Sequence, residues 1–171
     1  MPRISIKTVY MQNAYQYATL SYAERRKVGC VIVKDHQVIS FGYNGTPHGF
    51  DNECEETDTK YYENPDWAID LMDQGYECNN GICHKHGAKT KPEVLHAESN
   101  AIMKVAKSTM SCEGAELYTT TCPCFGCAKL IIQAGISKVY YTEEYRDMSG
   151  VALLGKAGIV VEHLKLENEY K

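Results

Sequence analysis

The stretch ELYTTTCPCFGCAKLIIQAGISKVYYT, residues 116–142, predicts the type of fold. Residues 116–121 and 137–142 are short runs typical of strands. Between them, residues 124–134 are predicted to form a helix, and Gly135 follows as its C-terminal stop. A strand, a helix and a second strand in succession are typical of an α/β protein.

The same alternation continues on both sides of this stretch. The further predicted elements are helices at 9–21, 97–107 and 152–156, and strands at 28–33, 37–41 and 158–164. A hairpin-like turn at Lys34-Asp35-His36 joins the first two strands. Together these elements predict an α/β sandwich in which helices cover a five-stranded sheet.

Length and composition indicate a single domain that spans 1–171. The chain has 171 residues, of which 44% are hydrophobic, and this suits one domain with one core. No apolar run approaches the roughly 20 residues that a membrane helix needs, and residues 1–21 show no secretory signal. We therefore expect a cytoplasmic protein (the host cytoplasm if it is phage-encoded) without membrane contact. In the cytoplasm the eight cysteines are expected to stay reduced, and to bind metal or take part in catalysis rather than form disulfides.

An insertion at about 50–91 interrupts the alternation. It is predicted to be loop-rich, with one helix at 67–72. Residues 51–79 contain ten acidic residues and one basic residue, a net charge of −9, whereas the whole chain carries −4. The remainder therefore carries +5, which is compatible with an anionic ligand, and the insertion is expected to be solvated.

Two short motifs carry candidate zinc ligands. His96-Ala97-Glu98 opens one predicted helix, and Pro123-Cys124-Phe125-Gly126-Cys127 opens the next. Two thiolates on one helical turn can bind a single Zn²⁺ at about 2.3 Å, with His96 as the third ligand and a fourth position left for water. Glu98 lies two residues after His96 and points elsewhere on a regular helix, so we expect it to act as general acid and base.

Each motif by itself has a more ordinary interpretation. A lone Cys-x-x-Cys is more often a structural zinc knuckle or a redox pair, and a lone histidine at a helix start is more often a cap. Together they favour catalytic zinc. The alternative from another class of protein is a zinc-stabilised nucleotide-binding module without catalysis, which has no need for a carboxylate at Glu98.

The motifs resemble those of zinc deaminases, in which H-x-E is followed by P-C-x-x-C. His96-Ala97-Glu98-Ser99-Asn100-Ala101-Ile102, Gly42-Tyr43-Asn44-Gly45 and Val28-Gly29-Cys30-Val31-Ile32-Val33 resemble stretches of the deoxycytidylate (dCMP) deaminases of the cytidine deaminase superfamily. The resemblance covers most of residues 5–48 and 94–163, but not the insertion. It implies a three-layer α/β/α sandwich with a five-stranded mixed sheet. The implied reaction is zinc-dependent hydrolysis of dCMP to dUMP and ammonia, which supplies dUMP for thymidylate synthesis.

The same resemblance implies which residues bind the substrate. Asn44 would bind the deoxyribose, Arg25 the phosphate and Tyr145 the pyrimidine, while the Ala97 N–H and the carbonyl of Thr121 or Cys122 would bind the base edge. Each has an alternative: an Asn-Gly turn for Asn44, a solvated charge run for Arg25, and packing for Tyr145. Cys122 stands where the family usually has Ser, Thr or His, so its thiol is either a spare ligand or a packing group.

Further implied features concern regulation and assembly. Enzymes that the chain resembles are commonly homo-hexamers, activated by dCTP and inhibited by dTTP, with Mg²⁺ on the triphosphate. Gly42, Tyr43, Asn44 and Gly45 would then contact both substrate and effector. Some phage-type members carry a second zinc, for which the candidates here are Cys54, Cys78, Cys83, His84 and His86. The alternative for those five is free thiols and exposed histidines.

Other deaminases remain as alternatives, including those that act on adenosine in tRNA, on riboflavin precursors or on free cytidine. Free-cytidine enzymes usually have Cys at the position of His96. Enzymes acting on tRNA favour a basic surface, whereas this chain is net acidic, so no nucleic-acid polymer is expected as a partner.

Overall fold

The computed structural model describes residues 4–63 and 65–166. Its elements, in chain order, are α1 (Ile6–Ala18), β1 (Gly29–Lys34), β2 (Gln37–Tyr43), β3 (Glu55–Glu63), α2 (Ala68–Asp73), β4 (Glu77–Asn79), β5 (Ile82–Thr90), α3 (Ala97–Ala106), β6 (Glu116–Thr121), α4 (Phe125–Gln133), β7 (Lys138–Glu143), α5 (Ser149–Lys156) and β8 (Val160–His163). None of the helices in these residues is both long enough and apolar enough to cross a membrane.

The main sheet has five strands in the order β2-β1-β6-β7-β8. β1 runs antiparallel to both of its neighbours, whereas β6, β7 and β8 are parallel. The predicted five-stranded mixed sheet is therefore confirmed. The predicted turn between β1 and β2 is confirmed as well, because Asp35 and His36 both have positive φ, as a tight hairpin turn requires.

Helices cover both faces of this sheet. Successive side chains of a strand point to opposite faces, and β1 shows the result: Val31 and Val33 pack in the cluster of α1, while Cys30 and Ile32 pack in the cluster of α3, α4 and α5. The strand is consequently apolar on both sides. This arrangement confirms the predicted three layers.

Element boundaries differ from the prediction by a few residues. α1 begins at Ile6 because Ser5 caps it, with the Ser5 hydroxyl accepting the Thr8 N–H at 3.1 Å. α5 begins at Ser149 rather than 152. Gly135 has a φ of +75° just after α4, so its predicted role as a helix stop is confirmed.

The insertion is more ordered than predicted, and its description as loop-rich is wrong. β3 and β5 pair along nine positions, from Glu55 opposite Thr90 to Glu63 opposite Ile82, and β4 adds a third strand. Side chains of β3 are mostly exposed, so the strand lacks the apolar alternation that a sequence pattern needs. The overlooked signal is the Asn80-Gly81 pair, whose positive φ values form the β4–β5 turn.

One disulfide lies inside the insertion. Cys78 and Cys83 face each other across the β4–β5 hairpin and are bonded. The expectation that all eight cysteines stay reduced is therefore wrong for this pair. The reason is the hairpin, because the Asn80-Gly81 turn sets the strand register that places Cys78 opposite Cys83.

Candidate active site

A cleft of about 460 Å³ opens where α3 and α4 begin, beside the ends of β6 and β7. Its volume is in the range of small-molecule sites. The following residues that were singled out from the sequence line it: Arg25, Asn44, His96, Ala97, Glu98, Thr121, Cys122, Cys124 and Tyr145. The fold therefore collects at one place groups that lie up to 120 positions apart in the chain.

The three predicted zinc ligands meet at this cleft: His96 and Cys124 line it, and the buried Cys127 lies next to them. His96 is the N-cap of α3 and Cys124 the N-cap of α4, while Cys127 lies in the first turn of α4. The His96 Nδ1 atom is 3.4 Å from the Sγ atom of each cysteine. All three ligand atoms lie within 4.8 Å of one another.

This geometry fits zinc. A tetrahedral ion with ordinary zinc–ligand bonds separates a sulfur ligand from a nitrogen ligand by about 3.5 Å, close to the 3.4 Å found for both pairs. Three protein ligands leave a coordination position open, as catalytic sites require and structural sites do not.

Hydrogen bonds among His96, Cys124 and Cys127 shift the pKa values of the two thiols in opposite directions. A hydrogen bond from the Cys127 thiol, and then one from His96, lower the pKa of the Cys124 thiol to about 3. The bond to Cys124, together with burial, raises the pKa of Cys127. Cys124 is therefore a thiolate at neutral pH, which is the form that binds a metal.

Glu98 lies in the first turn of α3 and only 4% of it is exposed. Burial raises the pKa of its carboxyl group. It lines the cleft but does not belong to the ligand group. A carboxyl group in this position is available to exchange protons with a molecule bound in the cleft.

Thr121 and Cys122 form the floor of the cleft at the end of β6. The Thr121 Oγ1 atom is buried and has no hydrogen-bond partner among the described residues. The Cys122 Sγ atom accepts the Tyr145 N–H at 3.2 Å, and the Cys122 N–H donates to the Glu143 carbonyl at 2.8 Å. Cys122 thus anchors the segment that carries Tyr145, and it is outside the ligand group.

Asn44 holds the segment of residues 21–28, which we call the arginine loop. The Asn44 Oδ1 atom accepts the Val28 N–H, and its Nδ2 atom donates to the Arg26 carbonyl, both at 2.8 Å. The Asn44 carbonyl accepts the hydroxyl of Ser21 at 2.7 Å. One N–H of the amide stays available to a ligand.

Several residues of the cleft were not predicted from the sequence. Arg26, which follows Arg25 in the sequence, pairs with Glu143 at 3.0 Å and lies 5.5 Å from the centre of the Tyr145 ring. Arg146 lies 6.0 Å from the same ring centre. The remaining lining residues are Val28, Glu55, Thr90, Val94 and Glu144. The available signals were the Arg-Arg-Lys run and the arginine next to Tyr145.

The Gly42–Gly45 segment lies directly behind the metal ligands. Gly45 and Leu95 exchange two backbone hydrogen bonds of 3.1 and 2.9 Å, and Leu95 precedes His96. A side chain at Gly42 would overlap the backbone of α3 at Ala97, so the absence of a side chain there allows β2 and α3 to pack. The segment therefore supports the start of α3 through its backbone.

The described residues do not support the second metal site suggested for the insertion. Cys78 and Cys83 are bonded to each other, and Cys54 packs apart from them with Ala23 and Val94. His84 faces Glu77, and the His86 Nδ1 atom pairs with the Thr59 hydroxyl. Within 4–63 and 65–166, the group of His96, Cys124 and Cys127 is the one that brings three ligand atoms together. The physical reason that the insertion gathers no such group is its strand register, which places Cys78 opposite Cys83 so that the two bond to each other.

The fold and the site define a metal-dependent centre of the catalytic type, and comparisons with known proteins identify its family. The family model described as "Cytidine and deoxycytidylate deaminase zinc-binding region" matches residues 4–143. The chain therefore belongs to the cytidine and deoxycytidylate deaminase family.

Individual relatives resemble the chain over most of its length. Deoxycytidylate deaminase of Enterobacteria phage T4 is 34% identical over 177 residues, covering 92% of this chain and 89% of that protein. ComE operon protein 2 of Bacillus subtilis is 34% identical over 168 residues, covering 98% of this chain and 75% of that protein. The crystal structure of dCMP deaminase from the cyanophage S-TIM5 in complex with dCMP and dUMP has a TM-score of 0.73 and 37% identity, covering 96% of this chain and all of that one.

Proposed function

We propose that this chain catalyses the hydrolytic deamination of dCMP to dUMP and ammonia. The observation that carries the proposal is that one cleft combines the His96, Cys124 and Cys127 group with the buried carboxyl of Glu98 and a rim of arginines. The likeness to the cyanophage dCMP deaminase, solved with dCMP and dUMP, supports this choice of substrate.

Zinc held by His96, Cys124 and Cys127 would supply a water that ionises near neutral pH. Glu98 takes one proton from the attacking water and delivers it to N3 of the cytosine. It then takes the proton of the new C4 hydroxyl and delivers it to the amino group, which leaves as ammonia while the C4 carbonyl of dUMP forms. A buried carboxyl group with a raised pKa suits this role, because it can hold a proton and release it within one turnover.

The other cleft residues would bind the nucleotide. The N–H of Ala97 has no partner within α3, as is usual at a helix start, and we assign it to the base edge together with the carbonyl of Thr121 or Cys122. Tyr145 would pack on the pyrimidine. We assign the free amide N–H of Asn44 to the deoxyribose and the Arg25 guanidinium to the phosphate, whose geometry matches a planar fork of donors.

Regulation and assembly form a second part of the proposal. We infer a homo-hexamer in the cytoplasm, activated by dCTP and inhibited by dTTP, with Mg²⁺ on the bound triphosphate. The Gly42–Gly45 segment offers a route for coupling, because Gly45 pairs with Leu95 beside His96 while Asn44 holds the arginine loop. Turnover of dCMP that neither dCTP nor dTTP alters, with or without Mg²⁺, would contradict the regulation, and native mass spectrometry tests the hexamer.

The reaction itself is tested by ammonia release from dCMP, CMP, deoxycytidine and adenosine with the zinc-loaded chain. We expect dCMP to be the preferred substrate. Glu98→Ala should reduce turnover by at least about a hundredfold while the chain retains its zinc. Glu56→Ala is the matched control, since Glu56 is exposed and lies in the insertion. Preserved turnover in Glu98→Ala, or preference for adenosine, would overturn the proposal.

A further inference from the structure

The acidic insertion reaches the cleft at its base. β3 begins at Glu55 and β5 ends at Thr90, and these two residues are partners in the first register position of the pair. Both line the cleft, although the rest of β3 and β5 extends away from it. The part of the insertion that meets the nucleotide site is therefore this single pair.

The Glu55 carboxylate accepts two hydrogen bonds from the backbone of the arginine loop. One oxygen of the Glu55 carboxylate accepts the Glu24 N–H at 3.2 Å, and the other accepts the Arg25 N–H at 3.3 Å. Ala23, just before them, is buried against Cys54 and Val94. The insertion thus holds the outer side of the arginine loop, while Asn44 holds its inner side.

Thr90 accepts a hydrogen bond from the side chain of Arg25. The Arg25 Nη1 atom donates to the Thr90 hydroxyl at 3.4 Å. No carboxylate forms an ion pair with Arg25 among the described residues, whereas Arg26 is paired with Glu143. Because Glu55 accepts from the main chain and not from the guanidinium, the charge of Arg25 remains available to an anion.

We propose that Glu55 and Thr90 are positioning residues that hold Arg25 ready for the 5′-phosphate of the substrate, so that the insertion forms one wall of the nucleotide site. This inference rests on the proposed function, in which Arg25 binds that phosphate. Holding the loop in its binding conformation before the ligand arrives removes part of the ordering cost of binding.

The test compares a ligand that carries the phosphate with one that lacks it. Calorimetry on the zinc-loaded chain measures the affinity for dUMP and for deoxyuridine, using Arg25→Ala, Glu55→Gln and Thr90→Val. Glu56→Gln is the matched control, because Glu56 is the next residue of β3 and its carboxylate pairs with the exposed Lys89. Thermal melting checks that each variant is folded.

We expect Arg25→Ala to weaken dUMP binding by about a hundredfold, Glu55→Gln by about tenfold and Thr90→Val by about threefold. Deoxyuridine binding should stay unchanged in all of them, as should both affinities in Glu56→Gln. The KM for dCMP should rise in the same order, with kcat preserved.

Four results would overturn the inference. Glu55→Gln and Thr90→Val could leave dUMP affinity unchanged while Arg25→Ala weakens it, which would leave the proposed function intact. Glu55→Gln could weaken both ligands equally, as a general structural role would. It could tighten dUMP binding, as expected if Glu55 merely repelled the phosphate. Unchanged dUMP affinity in Arg25→Ala would contradict both this inference and the assignment of Arg25 to the phosphate. Failure of the proposed function would appear separately, as absence of dCMP turnover in the unsubstituted chain.

Discussion

Replacing Asn44 by alanine should destabilise the whole fold, although the residue lies at a binding cleft. Its side chain makes two hydrogen bonds of 2.8 Å to the arginine loop, one to the Val28 N–H and one to the Arg26 carbonyl. The residue is only 9% exposed, so water does not readily replace the lost amide. Alanine would leave two backbone groups without partners.

The magnitude follows from those two bonds. A buried polar group that loses its partner costs roughly 1–1.5 kcal/mol, so Asn44→Ala should lower the free energy of unfolding by about 2–3 kcal/mol. For a chain of 171 residues, each kcal/mol corresponds to about 2–4 °C in Tm, and the melting temperature should fall by about 5–10 °C. The arginine loop, which loses its inner attachment, should also bind dUMP more weakly.

Scanning calorimetry of the zinc-loaded chain measures this effect against two other asparagines. Asn100 makes one comparable bond, from its Nδ2 atom to the Tyr43 carbonyl at 2.9 Å, so Asn100→Ala should show about half the shift. Asn52 is exposed, and Asn52→Ala should show almost none. A Tm of Asn44→Ala equal to that of Asn52→Ala would refute the reasoning and leave Asn44 with a role toward ligand alone.

Three further predictions concern the same site. In metal-free protein at pH 6, iodoacetamide should modify Cys124 first, since its pKa of about 3 keeps it a thiolate well below neutral pH; peptide mass spectrometry measures this, and labelling unaffected by added zinc would argue against the ligand group. Thr121→Val should leave Tm unchanged or higher, because the lost hydroxyl has no partner in the described residues, yet weaken dUMP binding by about tenfold if that hydroxyl meets the ligand; equal affinity would exclude such a contact. Gly42→Ala should lower Tm through overlap with the Ala97 backbone, whereas Gly45→Ala, which meets no atom nearby, is the control; equal Tm values would contradict the packing argument.

Local spacing explains which parts of the site were predictable. Cys124 and Cys127 are three residues apart in one helical turn, so helix geometry predicts that their side chains lie close together. His96 and Glu98 lie two residues apart at the start of α3, so the same geometry predicts that their side chains point in different directions. The centre of the main sheet was predictable for a similar reason, because β1, β6 and β7 are mainly buried and are rich in β-branched and aromatic residues. The insertion was not, because the exposed strand β3 gains its partner from residues 82–90 rather than from a pattern of its own.

Long-range contacts explain what was not predictable. The sequence shows Arg25, Arg26 and Lys27 as a plain run of charge; only the folded chain pairs Arg26 with Glu143 and leaves the Arg25 guanidinium beside Thr90. Likewise, Glu55 is one acid among ten until β3 and β5 bring it to the arginine loop.

The sequence by itself determined the α/β fold, the resemblance to a deaminase family and the three candidate zinc ligands with Glu98, since these depend on periodicity and on residues a few positions apart. The tertiary structure decided that Cys78 and Cys83 bond to each other instead of binding zinc, and that Asn44 and Glu55 hold the arginine loop from opposite sides. These contacts join residues separated by up to 31 positions across different strands and loops. Strand register and packing create them: the Asn80-Gly81 turn is a local signal for the hairpin that pairs Cys78 with Cys83, but no local pattern places Asn44 or Glu55 against the arginine loop.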